Sequence, residues 1–197
     1  MEIMKDVLPA WRETMERYDR EALDVARAVA SLIALALDLD GDFFDPPEML
    51  GKPLATLRLL HYEGRTSEPA KGIFGAGAHS DFGMLKLSMF QICKDKDAEP
   101  QDWEYIPPLK GAFIVNLGDM LERWSNGIFR STLHRVLCHG QERYSIAYFV
   151  EPSHDCIVEC LPTCQSTENP PKFPPIKCES YMLQRYKDTH ADRNSYK

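Results

Sequence analysis

The chain has 197 residues, 44% of them hydrophobic and 27% charged, with a formal net charge of -7 and a pI near 5.4. That length supports one domain with a buried core and is short for two. The acidic balance, with no basic stripe anywhere, argues against a nucleic-acid or anionic-membrane partner.

In chain order, Met1-Glu2-Ile3-Met4-Lys5-Asp6 lacks the apolar core of a signal peptide. The most apolar stretch, 28–37, is too short to span a bilayer and is interrupted by Ser31. A cytoplasmic location is expected. Residues 12–37 are expected to form a helix, because Met15, Tyr18, Ala22, Val25, Val29, Leu32 and Ala36 recur at the three-and-four spacing of a buried stripe. Glu16, Arg20 and Arg27 lie opposite, and Gly41 is the expected stop. After Pro46-Pro47 the texture changes to short strand-like runs at 55–62, 78–82, 84–92, 112–116, 132–137, 144–150 and 156–159. Turn signals such as Pro107-Pro108, Asn126-Gly127 and Glu151-Pro152 separate several of them. Residues 118–124 suit one or two helical turns, 169–175 read as a Pro-rich linker, and 179–189 as a last helix. One helix followed by many short strands points to a small β-barrel or sandwich with helical buttresses. The six cysteines form no CxxC pair and are expected to be reduced and unpaired. Cys156, Cys160 and Cys164 recur every fourth residue, but Ile157-Val158 reads as strand and Pro162 would break a helix.

Two pairs of residues carry chemistry. His79 and Asp81 are two apart, so on an extended strand both side chains point to one side and can reach one ion. Two His and one carboxylate on one face suit a divalent first-row metal and leave coordination positions open. His134, in the strand-like run Ser131-Thr132-Leu133-His134-Arg135-Val136, is the best third ligand. His139 and His154 read as loop residues, and His190 lies near the C-terminus. A His-x-Asp pair alone is common by chance, the bland alternative being a surface His beside an Asp. Arg143 and Ser145 form the second pair, a planar fork and a hydroxyl that together match a carboxylate. The alternative there is an Arg at a strand start, facing solvent.

Taken together, four segments resemble the plant-type 2-oxoglutarate and Fe(II)-dependent dioxygenases, relatives of isopenicillin N synthase. They are Gly75-Ala76-Gly77-Ala78-His79-Ser80-Asp81-Phe82-Gly83, Gly111-Ala112-Phe113-Ile114-Val115-Asn116-Leu117-Gly118-Asp119, the run around His134, and Glu142-Arg143-Tyr144-Ser145-Ile146. The resemblance implies a mainly β fold with flanking α-helices, a double-stranded β-helix or jelly-roll. It divides the chain into a helical buttress at 1–50, the oxygenase core at 51–165, and a Pro-rich linker with a C-terminal helix at 166–197. It implies that His79, Asp81 and His134 hold Fe(II), and that Arg143 and Ser145 hold the distal carboxylate of 2-oxoglutarate. Tyr62 stands where the family often has a tyrosine near that co-substrate, although Leu60 replaces a frequent Asn. The implied reaction oxidises a small organic molecule with O2 and 2-oxoglutarate and releases succinate and CO2, with ascorbate as an accessory reductant that the family allows.

The text departs from that family in two places. The first helix begins almost at once, where relatives carry a substantial preceding segment, so an incomplete core and association through exposed sheet edges are expected of an otherwise monomeric chain. The run 84–93 contains no Gly, Asn or Pro, so a hairpin is expected to be lost or fused there, and Lys86 sits where the family prefers a small or apolar residue. Two other readings therefore stand beside the oxygenase. One is a truncated or splice-variant form with little activity, and the other is an oxidase of the same superfamily that does not consume 2-oxoglutarate. A zinc hydrolase is disfavoured because no poised general base accompanies the ligands.

Overall fold

A computed structural model describes residues 10–88 and 91–191. Residues 1–9, which cover the N-terminal run read for a signal peptide, and Met89 and Phe90, within the expected strand at 84–92, lie outside them. The chain divides into two units, Met1–Phe44 and Asp45–Lys197.

In the first unit, helix α1 spans Trp11–Ala36. Its buried residues are Ala22, Ala26, Ala30, Ile33 and Ala34, while Leu32 is 65% exposed. This shifts the expected stripe. Ala22 on it is buried and Met15, Tyr18, Val25 and Val29 are half-buried, but Leu32 and Ala36 are exposed, and alanines at every fourth position mark the most buried line. The stop also comes earlier than Gly41: Asp38 takes a left-handed φ of 56°, which ends the helix just after Ala36.

In the second unit the described strands and α-helices are, in order, β1 (Leu54–Glu63), β2 (Ala76–His79), β3 (Leu85–Ser88), β4 (Gln91–Cys93), β5 (Trp103–Tyr105), β6 (Ile114–Leu117), α2 (Asp119–Trp124), β7 (His134–Val136), β8 (Glu142–Glu151), β9 (Ile157–Val158), β10 (Ile176–Lys177) and α3 (Cys178–Ala191). They make one four-stranded sheet in the order β1-β8-β3-β6, a second in the order β2-β7-β4-β5, and a small β9-β10 pair. Apart from the β4-β5 pair, consecutive strands from β1 to β8 alternate between the two large sheets, which is how a jelly-roll winds. Met84, Leu85, Leu87, Tyr148 and Val150 are buried on or beside the strands, joined by Met120, Leu121 and Trp124 from α2.

The strands expected to have been lost after Asp81 are present. β3 lies between β8 and β6, whereas β4 lies between β7 and β5. They belong to different sheets and do not face each other as a hairpin, so neither strand depends on turn residues between them. Their described lengths are four and three residues. The Pro-rich stretch near 170 is tied down. Asn126 Nδ2 donates to the carbonyls of Cys164 and Pro170, and Asn126 Oδ1 accepts the Lys172 amide. The six cysteines are free, as expected.

Candidate metal centre

β2 ends at His79 and β7 begins at His134, and the antiparallel register sets these two residues directly opposite each other. Their rings lie 4.2 Å apart between centroids. Each ring is oriented by its own strand: His79 Nδ1 is 2.8 Å from the Gly77 carbonyl and His134 Nδ1 is 3.0 Å from the Thr132 carbonyl. A carbonyl only accepts, so both Nδ1 atoms carry a proton, and in the neutral ring Nε2 is the atom that keeps a lone pair. Asp81 completes the group, with Oδ1 3.8 Å from His79 Nε2 and Oδ2 3.5 Å from His134 Nε2. One donor atom from each of the three lies within 4.8 Å of the others. The chemistry of this donor set fits a divalent first-row metal.

Support comes from residues whose part the sequence did not reveal. Asn116 on β6 is buried and its Nδ2 donates to Asp81 Oδ2 at 2.5 Å. The turn that carries Asp81 is fixed through its backbone. The amides of Gly118, Asp119 and Met120 donate to the carbonyls of Met84, Asp81 and Gly83 at 3.0, 2.9 and 3.1 Å. The two carboxylate oxygens of Asp119 then take Ser131 Oγ at 2.5 Å and the Tyr181 hydroxyl at 3.0 Å. Arg185, also on α3, reaches Asp119 at 3.2 Å and Ser80 Oγ at 3.2 Å. The only signal for these in the sequence was their place inside or near family-like segments.

Lys86 projects from β3 into the same centre. It is 6% exposed, and its Nζ lies 2.8 Å from His134 Nε2 and 3.2 and 3.1 Å from the two oxygens of Asp81. Burial lowers the lysine's pKa and the Asp81 carboxylate opposes that shift. Burial first, and the Lys86 charge second, push His134 down to about 4. His134 is therefore neutral near pH 7 and accepts a hydrogen bond from the lysine at Nε2. The sequence marked Lys86 as unusual for its position without revealing that it meets two of the candidate ligands.

The second pair lies farther along β8. Arg143 is registered against Tyr62, and Ser145 against Leu60. The Arg143 guanidinium stacks on the Tyr62 ring at 3.9 Å, and burial raises the pKa of that tyrosine. Arg143 lines a cavity of about 180 Å³ with Gln91, Tyr105, Val136, His139 and Gln141. Ser145 is buried, but neither it nor the three candidate ligands are among the residues lining that cavity. Of the other histidines, His61 bonds Glu142 and stacks on Tyr144, and His154 pairs with Glu179.

The profile of the 2OG-Fe(II) oxygenase superfamily matches residues 55–152. Kihadalactone A synthase of Citrus sinensis is 52% identical over 95% of this chain. The chain belongs to the 2OG-Fe(II) oxygenase superfamily. Azadirone synthase of Melia azedarach is 47% identical over 94% of it. Among solved structures, a full-length Neurospora crassa protein in complex with alpha-KG and thymine superposes with a TM-score of 0.81 at 30% identity, covering 92% of this chain and 58% of that one. The chain spans 58% of the length of each of the two synthases. Among its described residues no helix is long and apolar enough to cross a membrane.

Proposed function

We propose that this chain forms the metal- and co-substrate-binding part of an oxygenase that oxidises a small organic molecule, consuming O2 and 2-oxoglutarate and releasing succinate and CO2. The observation that carries this reading is the convergence of His79, Asp81 and His134, with both Nε2 atoms within 3.8 Å of the carboxylate. Bound there, Fe(II) would supply the redox chemistry and the activation of O2. The protein supplies geometry. The Gly77 and Thr132 carbonyls fix the imidazole tautomers, and Asn116 fixes one oxygen of Asp81.

Arg143 is our candidate for holding the distal carboxylate of 2-oxoglutarate, with Ser145 adding a hydroxyl. Tyr62 holds the guanidinium plane by stacking on it. The substrate is read as a small metabolite of the kind from which the relatives make kihadalactone A and azadirone. The acidic composition supports a protein that binds neither nucleic acid nor an anionic membrane, and we read it as a cytoplasmic chain, monomeric when dilute, that can associate through its sheet edges.

Calorimetric titration of the Mn(II)-loaded chain with 2-oxoglutarate tests the assignment. Binding is expected to require the metal and to weaken at least about tenfold in Arg143→Ala, the scale of one lost charge-assisted pair. Binding that ignores both the metal and Arg143 would sink it. Oxidation of a substrate without release of succinate would favour the oxidase that does not use 2-oxoglutarate, and binding with no oxidation at all the form with little activity.

A further inference from the structure

We propose that Lys86 is a built-in competitor for the metal position, so that this chain closes its own metal centre with an ammonium group. The inference rests on the reading of His79, Asp81 and His134 as metal ligands.

Three observations carry it. The first concerns the single lone pair of His134. With Nδ1–H committed to the Thr132 carbonyl, Nε2 is the one ring atom able to accept. Lys86 Nζ stands 2.8 Å from it, so that lone pair already holds an N–H. A nitrogen lone pair binds a proton donor or a metal, and it cannot do both. The second concerns Asp81. Both of its oxygens lie within salt-bridge reach of the same Nζ, and Asn116 occupies Oδ2 as well. The carboxylate charge that would offset a metal is already paired with a cation.

The third is placement. β3 runs between β8 and β6, with Lys86 registered against Phe149 on one side and Asn116 on the other. Its ammonium also lies 5.4 Å from the centre of the Phe149 ring. From the middle of a sheet, with the side chain 8% exposed, the amine cannot leave the centre by a simple swing into water. A metal at the three ligands would meet a like charge at close range, and binding requires that the amine be moved. A metal-free site of this kind is already satisfied electrostatically, which weakens metal loading without loss of a single ligand.

The test is direct metal binding, read from the loss of the free Mn(II) electron paramagnetic resonance signal, with no turnover involved. Wild type is compared with Lys86→Met, which keeps the length of the side chain and removes the charge, and with Lys86→Arg, which keeps the charge. Near-UV circular dichroism checks the fold of each. Lys86→Gln replaces Lys86→Met as the neutral variant if the methionine form does not fold. The expected result is that the neutral variant binds Mn(II) about 10- to 100-fold more tightly than wild type, the range produced by residues that surround metal ligands. Lys86→Arg should stay weak, and adding Asp81→Asn to the neutral variant should abolish the gain.

Equal, tight binding by wild type and the neutral variant overturns the role of Lys86 and leaves the metal centre standing. Tighter binding by wild type, as when the amine serves as a ligand, overturns it as well. No binding by a folded neutral variant overturns the metal centre itself, and the inference with it.

Discussion

At the residue scale, two buried polar side chains around Asp81 set measurable expectations. Asn116 donates to Asp81 through Nδ2, while its own Oδ1 is buried and has no hydrogen-bond partner among the described residues. Asn116→Ala removes a bond to a charged group, which costs about 1.5–3 kcal/mol, and also removes the orphaned acceptor, which offsets part of that. The expected net loss is about 1–2 kcal/mol in urea denaturation, together with weaker metal binding because one carboxylate oxygen is no longer held. Glu151 gives a pH signature. Burial first, and the Asp81 charge second, raise its pKa from 4.5 to about 7. The folded state thus holds this proton more tightly than the unfolded chain. The stability it contributes is full below about pH 4.5 and is lost as pH rises to about 7, by up to about 3 kcal/mol. Glu151→Gln should flatten that decline and raise the melting temperature at about pH 8 relative to wild type. An unchanged pH profile would contradict the buried, protonated carboxyl. Much of the centre was legible here, since the i, i+2 spacing of His79 and Asp81 needs only strand geometry. The contacts of Asn116 and Lys86 were not, because they depend on β3 and β6 being neighbours across the sheet.

At the element scale, α2 approaches the turn after β2 so closely that no side-chain carbon fits at Gly118. A Cβ on Gly118 would lie 2.2 Å from the Gly83 carbonyl oxygen and 3.0 Å from that of Asp81. Gly118→Ala must push these backbones apart, at about 1–3 kcal/mol, or roughly 3–10 °C in melting temperature for a chain of this size. Because the shift falls on Asp81, metal affinity should drop with it. Gly77→Ala, on β2 close by, meets nothing within 4 Å and should change stability by less than about 0.5 kcal/mol. Thermal melts of the two variants side by side check the contrast. Elements with strong periodicity or turn signals were readable: α1 begins one residue before its expected start, and β1 and β8 enclose the expected runs. β5 and β10 were not, being three and two residues long, too short to show an alternation. The buried face of α1 was read only in part, because most of its fully buried positions are alanines, whose small size makes a weak hydrophobic signal.

At the scale of the whole molecule, the order β1-β8-β3-β6 leaves β1 and β6 at the edges of their sheet among the described residues. β1 is ten residues long, and Leu59 on it and Val115 on β6 are exposed. Long edges with apolar side chains invite pairing with another chain. The protein is expected to associate as its concentration rises, and Leu59→Lys or Val115→Lys should reduce that association in light scattering. A species that stays monomeric at every concentration would argue against it. The jelly-roll itself was foreseeable from the order of the family-like segments. The survival of both strands after Asp81 was not, because nothing local in 84–93 says that the chain changes sheets there.

The three amides that bind the Asp81 turn have a consequence for how this scaffold can change over generations. Donor and acceptor are main-chain atoms at every one of these bonds, so no exchange of side chain at Phe82, Met84 or Met120, short of proline at the donors, deletes one. Side chains beside the carboxylate can thereby be exchanged, within what the core will pack, while the carboxylate stays put. A lineage could reshape the neighbourhood of its reactive centre without rebuilding the centre. Gly118, whose own missing side chain admits the neighbouring backbone, would be the position held fixed throughout.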